Sequence, residues 1–167
     1  KELVERGSFF AKNVEALKEH EVTILESYVM AGNLVIIISP EDNLKALRIM
    51  KEVGYNQLTE MSAIDWLETD GEFEIFYQLL SMSEAKRARI KCRVTETQAI
   101  ESVTTLYNSA NWAEREMYDM FGIHVNNHPY LKRIMMPDDW HGHPLRKSYP
   151  LQGDEHAQWL SLIHISQ

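Results

Sequence analysis

The sequence predicts an α+β fold: a mixed or antiparallel sheet with helices, followed by an extended, proline-punctuated C-terminal arm. Three observations carry this. Apolar residues recur at helical spacing in some stretches and at strand spacing in others, in the order helix, two strands, helix, three strands, helices. Residues 88–94 alternate strictly between apolar and basic side chains. Four of the five prolines (Pro129, Pro137, Pro144, Pro150) fall beyond Gly122, six to eight residues apart, where periodicity is lost.

From the N-terminus, Phe10, Val14 and Leu17 lie three or four apart and predict an amphipathic helix over 9–20. Residues 22–30 and 34–39 are β-rich, and Ala31-Gly32-Asn33 reads as a short hairpin connection. Ser39-Pro40-Glu41-Asp42 predicts a helix start, with Ser39 as cap and Pro40 in the first helical position. Leu44, Leu47, Met50 and Val53 would form that helix's apolar stripe, ended by Gly54.

Residues 57–66 and 72–80 read as strands joined around Thr69-Asp70-Gly71. In the next strand Ala88, Ile90, Cys92 and Val94 face inward while Arg89, Lys91 and Arg93 face out. This basic row is read as a solvated strand face whose charge discourages edge pairing, rather than as an anion site. Ile100, Val103, Leu106 and Tyr107 suggest a short helix. A longer one from about Ala110 carries Ala113, Met117, Met120 and Phe121 on one face and stops at Gly122. The expected organisation is a domain over 1–122, a docking arm over 123–151 and a tail over 152–167.

Composition narrows the function. The apolar fraction of 44% and charged fraction of 25% are those of an ordinary globular chain. A net charge of −8 argues against a nucleic-acid partner. No apolar run is long enough to span a bilayer. The N-terminal residues lack the apolar core of a signal peptide, so neither a signal nor a transit peptide is expected there. A single cysteine, Cys92, excludes an intrachain disulfide and a cysteine-ligated cluster held by this chain alone.

Function is expected in the stretch 111–151. Its five acids (Glu114, Glu116, Asp119, Asp138, Asp139) balance five bases (Arg115, Lys132, Arg133, Arg146, Lys147), and it holds six of the sixteen aromatics and four of the seven histidines. Aromatic, arginine-bearing and charge-balanced, it has the composition of a docking surface. His124 and His128, four apart, and His141 and His143, two apart, could bind metal and make the chain a small metal-dependent hydrolase. Gly122 and Pro129 bracket the first pair, so a helix through it is not expected, and histidines bonded or stacked at an interface are the preferred reading. Glu114 and Glu116, two apart on a helix, point to different faces, whereas Arg115 and Asp119, four apart, can pair. No nucleophile elbow, phosphate loop or dinucleotide fingerprint occurs.

Glu114-Arg115-Glu116, then Asp119-Met120-Phe121, then His128, Lys132 and Ile134, resembles the signature of the thirty-kilodalton subunit of respiratory complex I, the C-subunit of bacterial NADH–quinone oxidoreductase. Met136 to Leu151 is similar to that family's C-terminal arm almost letter for letter, and the likeness extends more loosely through 62–66 and 102–112. Ser148 stands where the family usually has an acid, and Asn127 where glycine is common.

The resemblance implies a non-catalytic subunit of the peripheral arm, carrying no flavin or iron–sulfur cluster and no quinone, since these belong to partner subunits. It implies packing on the large quinone-site subunit (the D-subunit), which forms the quinone pocket with the B-subunit. The chain would sit peripherally on the cytoplasmic face of a bacterial inner membrane or the mitochondrial matrix face. It assigns Arg115, Glu116 and Asp119 to the arm's root. It places Phe121, His128, Arg133, Met136, Asp138, Trp140, His143, Leu145, Arg146, Lys147 and Tyr149 at the partner interface, with Trp140 to Tyr149 against the large subunit. The equivalent domain of a membrane-bound hydrogenase or formate-hydrogen lyase is the alternative parent.

Overall fold

A computed structural model describes residues 2–5 and 7–152. Apart from Gln152, the expected tail lies outside the described residues. Helix α1 (Phe9–Glu19) leads into β1 (Ile24–Met30) and β2 (Asn33–Ile38), then α2 (Asn43–Glu52). Strand β3 (Gln57–Trp66), the single-turn α3 (Leu67–Asp70), β4 (Glu72–Ser81) and β5 (Lys86–Thr95) follow. The short β6 (Ile100–Glu101), α4 (Ala110–Phe121) and β7 (Val125–Asn126) close the regular structure.

The main sheet has the order β1-β2-β5-β4-β3. Every neighbouring pair is antiparallel except β2 and β5, which run parallel. The sheet is therefore mixed. Its β1–β2 hairpin turns through Ala31 and Gly32, both with positive φ, the twist-matching geometry of two-residue hairpins.

Strand alternation puts Leu34, Ile36 and Ile38 of β2, Ala88, Ile90, Cys92 and Val94 of β5, and Phe73, Ile75, Tyr77 and Leu79 of β4 into one buried cluster. Val14 and Leu17 of α1, Leu47 and Met50 of α2, and Met117, Met120 and Phe121 of α4 pack into the same cluster. Cys92 lies wholly inside it, and burial pushes its thiol up to about 12, so it is unreactive at neutral pH.

The structure corrects four local expectations. Ser39 makes no capping bond through its side chain; a 3₁₀ turn over Pro40–Asp42 precedes α2, and the Asp42 carboxylate accepts the Thr23 N–H instead. The stretch 100–107 is not a helix, because Ile100 and Glu101 pair in parallel with Val125 and Asn126. The basic strand β5 is no edge: it lies at the centre of the sheet. Its charges are met by β4, with Lys91 on Glu74 at 2.6 Å, and by the turn before it, with Arg93 on Asp70 at 3.0 Å. Finally, Arg115 does not pair with Asp119, whose carboxylate takes Arg133.

The stretch beyond Gly122 begins inside the domain. Ile123 and Val125 are buried in the core, and β7 binds β6. From Asn127 onward the described chain forms turns and bends without helix or strand.

Candidate functional site

Helix α4 ends at Gly122, which adopts φ +77° and so turns the chain without the strain a side chain would bring. A helix C-terminus leaves carbonyls without intrahelical donors and carries partial negative charge. The arm answers both. Arg133 Nη1 (3.2 Å) and His143 Nδ1 (2.9 Å) donate to the Asp119 carbonyl, the Leu145 N–H to Met120 O (3.0 Å) and Arg146 Nε to Phe121 O (2.6 Å).

The Asp119 side chain is the second anchor. It is fully buried, and its Oδ2 accepts the successive N–H groups of Ile134, Met135 and Met136 at 3.0, 2.8 and 2.9 Å. Its Oδ1 takes Arg133 Nη1 at 2.6 Å. Burial alone would raise this carboxyl's pKa. The Met136 N–H, the Arg133 guanidinium and the other two N–H groups outweigh burial and hold it below its ordinary value. His143 moves down through burial, opposed by its bond to Asp119 O and reinforced by Arg146 and Arg133.

Further contacts brace the two ends of the arm. Near its start, Arg115 donates to the carbonyls of Lys132 (3.0 Å) and Arg133 (3.1 Å) and stacks over Tyr130. Toward its end, Arg133 Nη2 reaches Gly142 O at 3.0 Å. Arg146 pairs with Glu96 and lies over the Phe73 ring. Lys147 donates its N–H to Asp65 Oδ2 at 2.8 Å and sets its ammonium over Trp66.

Under α4's first turns lies a buried polar group. Glu114 is fully buried and accepts Ser102 Oγ and the Val103 N–H, both at 2.7 Å. Burial raises its pKa, and these two bonds only partly offset the shift. His128 accepts the Tyr130 N–H at Nδ1, so its proton sits on Nε2, which donates to Asn111 O at 3.2 Å. That nitrogen faces Glu114 at 3.8 Å.

Among the residues expected at a partner interface, Arg115, Asp119, Phe121, His128, Arg133, Met136, His143 and Arg146 make contacts within the chain. Glu116, Asp138, Leu145 and Lys147 lie exposed, and Trp140 and Tyr149 are part-buried along the arm's last turns. Bracing residues that were not foreseen include Asp65, Glu96, Ser102 and Val103. Asp65 carried a legible signal, because the period-two row Met61, Ala63, Asp65 puts an acid on the inward face of β3. The other three had none, lying 11 to 50 residues from their partners. Among the described residues, no three histidine, cysteine or acidic side chains gather in a metal-binding cluster.

This geometry defines a class: an α+β domain that braces its own irregular arm against one helix end and presents the arm's outer side chains. The model of the respiratory-chain NADH dehydrogenase 30 kDa subunit matches residues 36–155. The NADH-quinone oxidoreductase C-subunit of Citrifermentans bemidjiense is 45% identical over 134 residues, covering 79% of this chain and 83% of the relative. The corresponding C-subunit of Geobacter sulfurreducens is 39% identical over 145 residues, covering 85% and 90%. Among solved structures, a trypsin-resistant fragment of Nqo5 (1-134) superposes with a TM-score of 0.62 at 28% identity, over 72% of this chain and 97% of that one. A chain of an archaeal membrane-bound sulfane sulfur reductase shares the fold, with a TM-score of 0.74 at 24% identity over 98% and 94%. The chain belongs to the family of respiratory-chain NADH dehydrogenase 30 kDa subunits.

Proposed function

We propose that this chain is a non-catalytic structural subunit of the peripheral arm of a proton-translocating NADH–quinone oxidoreductase. Its arm docks on the large quinone-site subunit and, through it, links to the smaller subunit that completes the quinone pocket. The observation that carries this reading is the bracing of the arm. Asp119, Arg133, His143 and Arg146 hold residues 133–147 in one shape, while Asp138, Leu145 and Lys147 remain exposed. An arm ordered before binding loses less conformational entropy on docking, which is how a small surface achieves firm attachment. Flavin, iron–sulfur clusters and quinone would sit in the partners, since the reading gives this chain no cofactor of its own. No helix among the described residues is long and apolar enough to cross a membrane. Attachment through the large subunit would hold the chain at the cytoplasmic face of a bacterial membrane, or the matrix face in a mitochondrion.

Co-expression with the two quinone-pocket subunits tests the reading. Leu145→Asp and Asp138→Lys alter exposed side chains, so the isolated chain should keep its thermal transition. Co-purification of the large quinone-site subunit should fall several-fold. Undiminished recovery with both variants would overturn docking through this arm. Pull-down of the tagged chain from solubilised membranes of its source, with NADH oxidation assayed in the eluted particle, distinguishes this parent from a hydrogenase-type assembly.

A further inference from the structure

A second surface lies away from the outer arm. Two depressions, of about 620 and 550 Å³, lie beside the 104–109 loop and share Thr105 and Asn108 in their linings; the larger is an open trench. The larger is walled by Thr105, Asn108, Asn111, Asn127, Trp112 and Pro129, with no ionisable side chain in its lining. The smaller contains one cation, Lys51, whose ammonium is already engaged by the Leu106 carbonyl and the Tyr107 ring. On a chain of net charge −8, this is a neutral strip.

We propose that this trench binds an extended, uncharged segment of a partner polypeptide, with a proline or similar apolar side chain against Trp112. Three features select that occupant. An extended strand outside a sheet presents alternating N–H and C=O groups, and a carboxamide offers both a donor and an acceptor to meet them. Asn108 and Asn111 make no side-chain hydrogen bond to a described residue, so their amides are available. Trp112 is 67% exposed beside Pro129, giving a flat apolar surface of the kind that receives proline-containing segments. The neutral walls complement a neutral ligand, because a charged segment would lose hydration in the larger depression with no counter-charge there to replace it. The same lack of available cations excludes a nucleic-acid backbone.

The test is a titration of the isotopically labelled chain with a capped, uncharged alanine–proline peptide, following the side-chain amides of Asn108, Asn111 and Asn127 and the Trp112 indole by NMR. Saturable shifts confined to these groups are expected. Trp112→Ala should weaken binding about tenfold or more, as loss of a central aromatic anchor does. Asn108→Ala, at an exposed loop position, repeats the measurement should Trp112→Ala fail to fold. Absence of saturation would overturn the proposal. So would equal shifts from aspartate- or lysine-substituted peptides, or a response to a neutral oligosaccharide and not to the peptide. The large quinone-site subunit is not a component of the experiment, so its result is separate from that of the arm's docking.

Discussion

The carboxylate of Asp119 and the guanidinium of Arg133 stand 2.6 Å apart across fourteen residues of sequence, joining the last turn of α4 to the start of the folded-back arm. The acid alone would be poorly placed, since a negative charge near a helix C-terminus opposes the macrodipole. Arg133 reverses this by meeting both the carboxylate and the Asp119 carbonyl.

Asp119→Asn keeps the shape but replaces one acceptor oxygen by a donor that faces either Arg133 or three N–H groups. Breaking a buried ion pair costs about 3–5 kcal/mol. The variant should lose stability on that order in urea unfolding, with faster proteolysis at 133–147 than elsewhere.

The folded-state pKa of Asp119 lies below its unfolded value. Its contribution to stability is therefore present above the unfolded value, about 3.9, and is lost as pH falls through the folded value. Glu114 has the opposite sign. Its folded pKa is raised, so its ionisation opposes folding at neutral pH, and that cost is relieved as pH falls through the folded value. Glu114→Gln retains an acceptor for the Val103 N–H and a partner for Ser102. It should be neutral or stabilising at pH 7 and should remove this relief on the acid side. Denaturant midpoints measured across pH check both signs.

A Cβ added at Gly122 would lie 2.5 Å from His143 Nε2 and 2.7 Å from Arg146 Nη2, at a φ of +77°. Gly122→Ala should cost about 1–2 kcal/mol from the backbone alone. It should also displace His143 and Arg146 from the helix end, shifting the His143 ring resonances and speeding hydrogen exchange at Leu145.

Arg146→Ala removes bonds to Phe121 O and Glu96 and the cation–π contact with Phe73. The sheet should survive, since no β-ladder depends on Arg146. Exchange protection should fall at Leu145 and Arg146, and assembly with the large quinone-site subunit should weaken. An unchanged yield of assembled complex would count against the arm's docking role.

The sequence by itself determined the elements whose cause is local. The α4 stripe, its Gly122 stop, the β1–β2 hairpin and the alternation of β5 all follow from side-chain periodicity and glycine conformation over a few residues. The density of rare residues over 114–151 likewise carried the family resemblance. Only the tertiary structure decided what the arm's charges bind. Spacing of four suggested Arg115 for Asp119, but the chain reversal at Gly122 brings Arg133 and three backbone N–H groups there together. It also decided that 100–101 is strand, because the partner for those N–H and C=O groups is 125–126. Both are long-range pairings, and a contact between residues distant in sequence leaves no periodic trace in either segment.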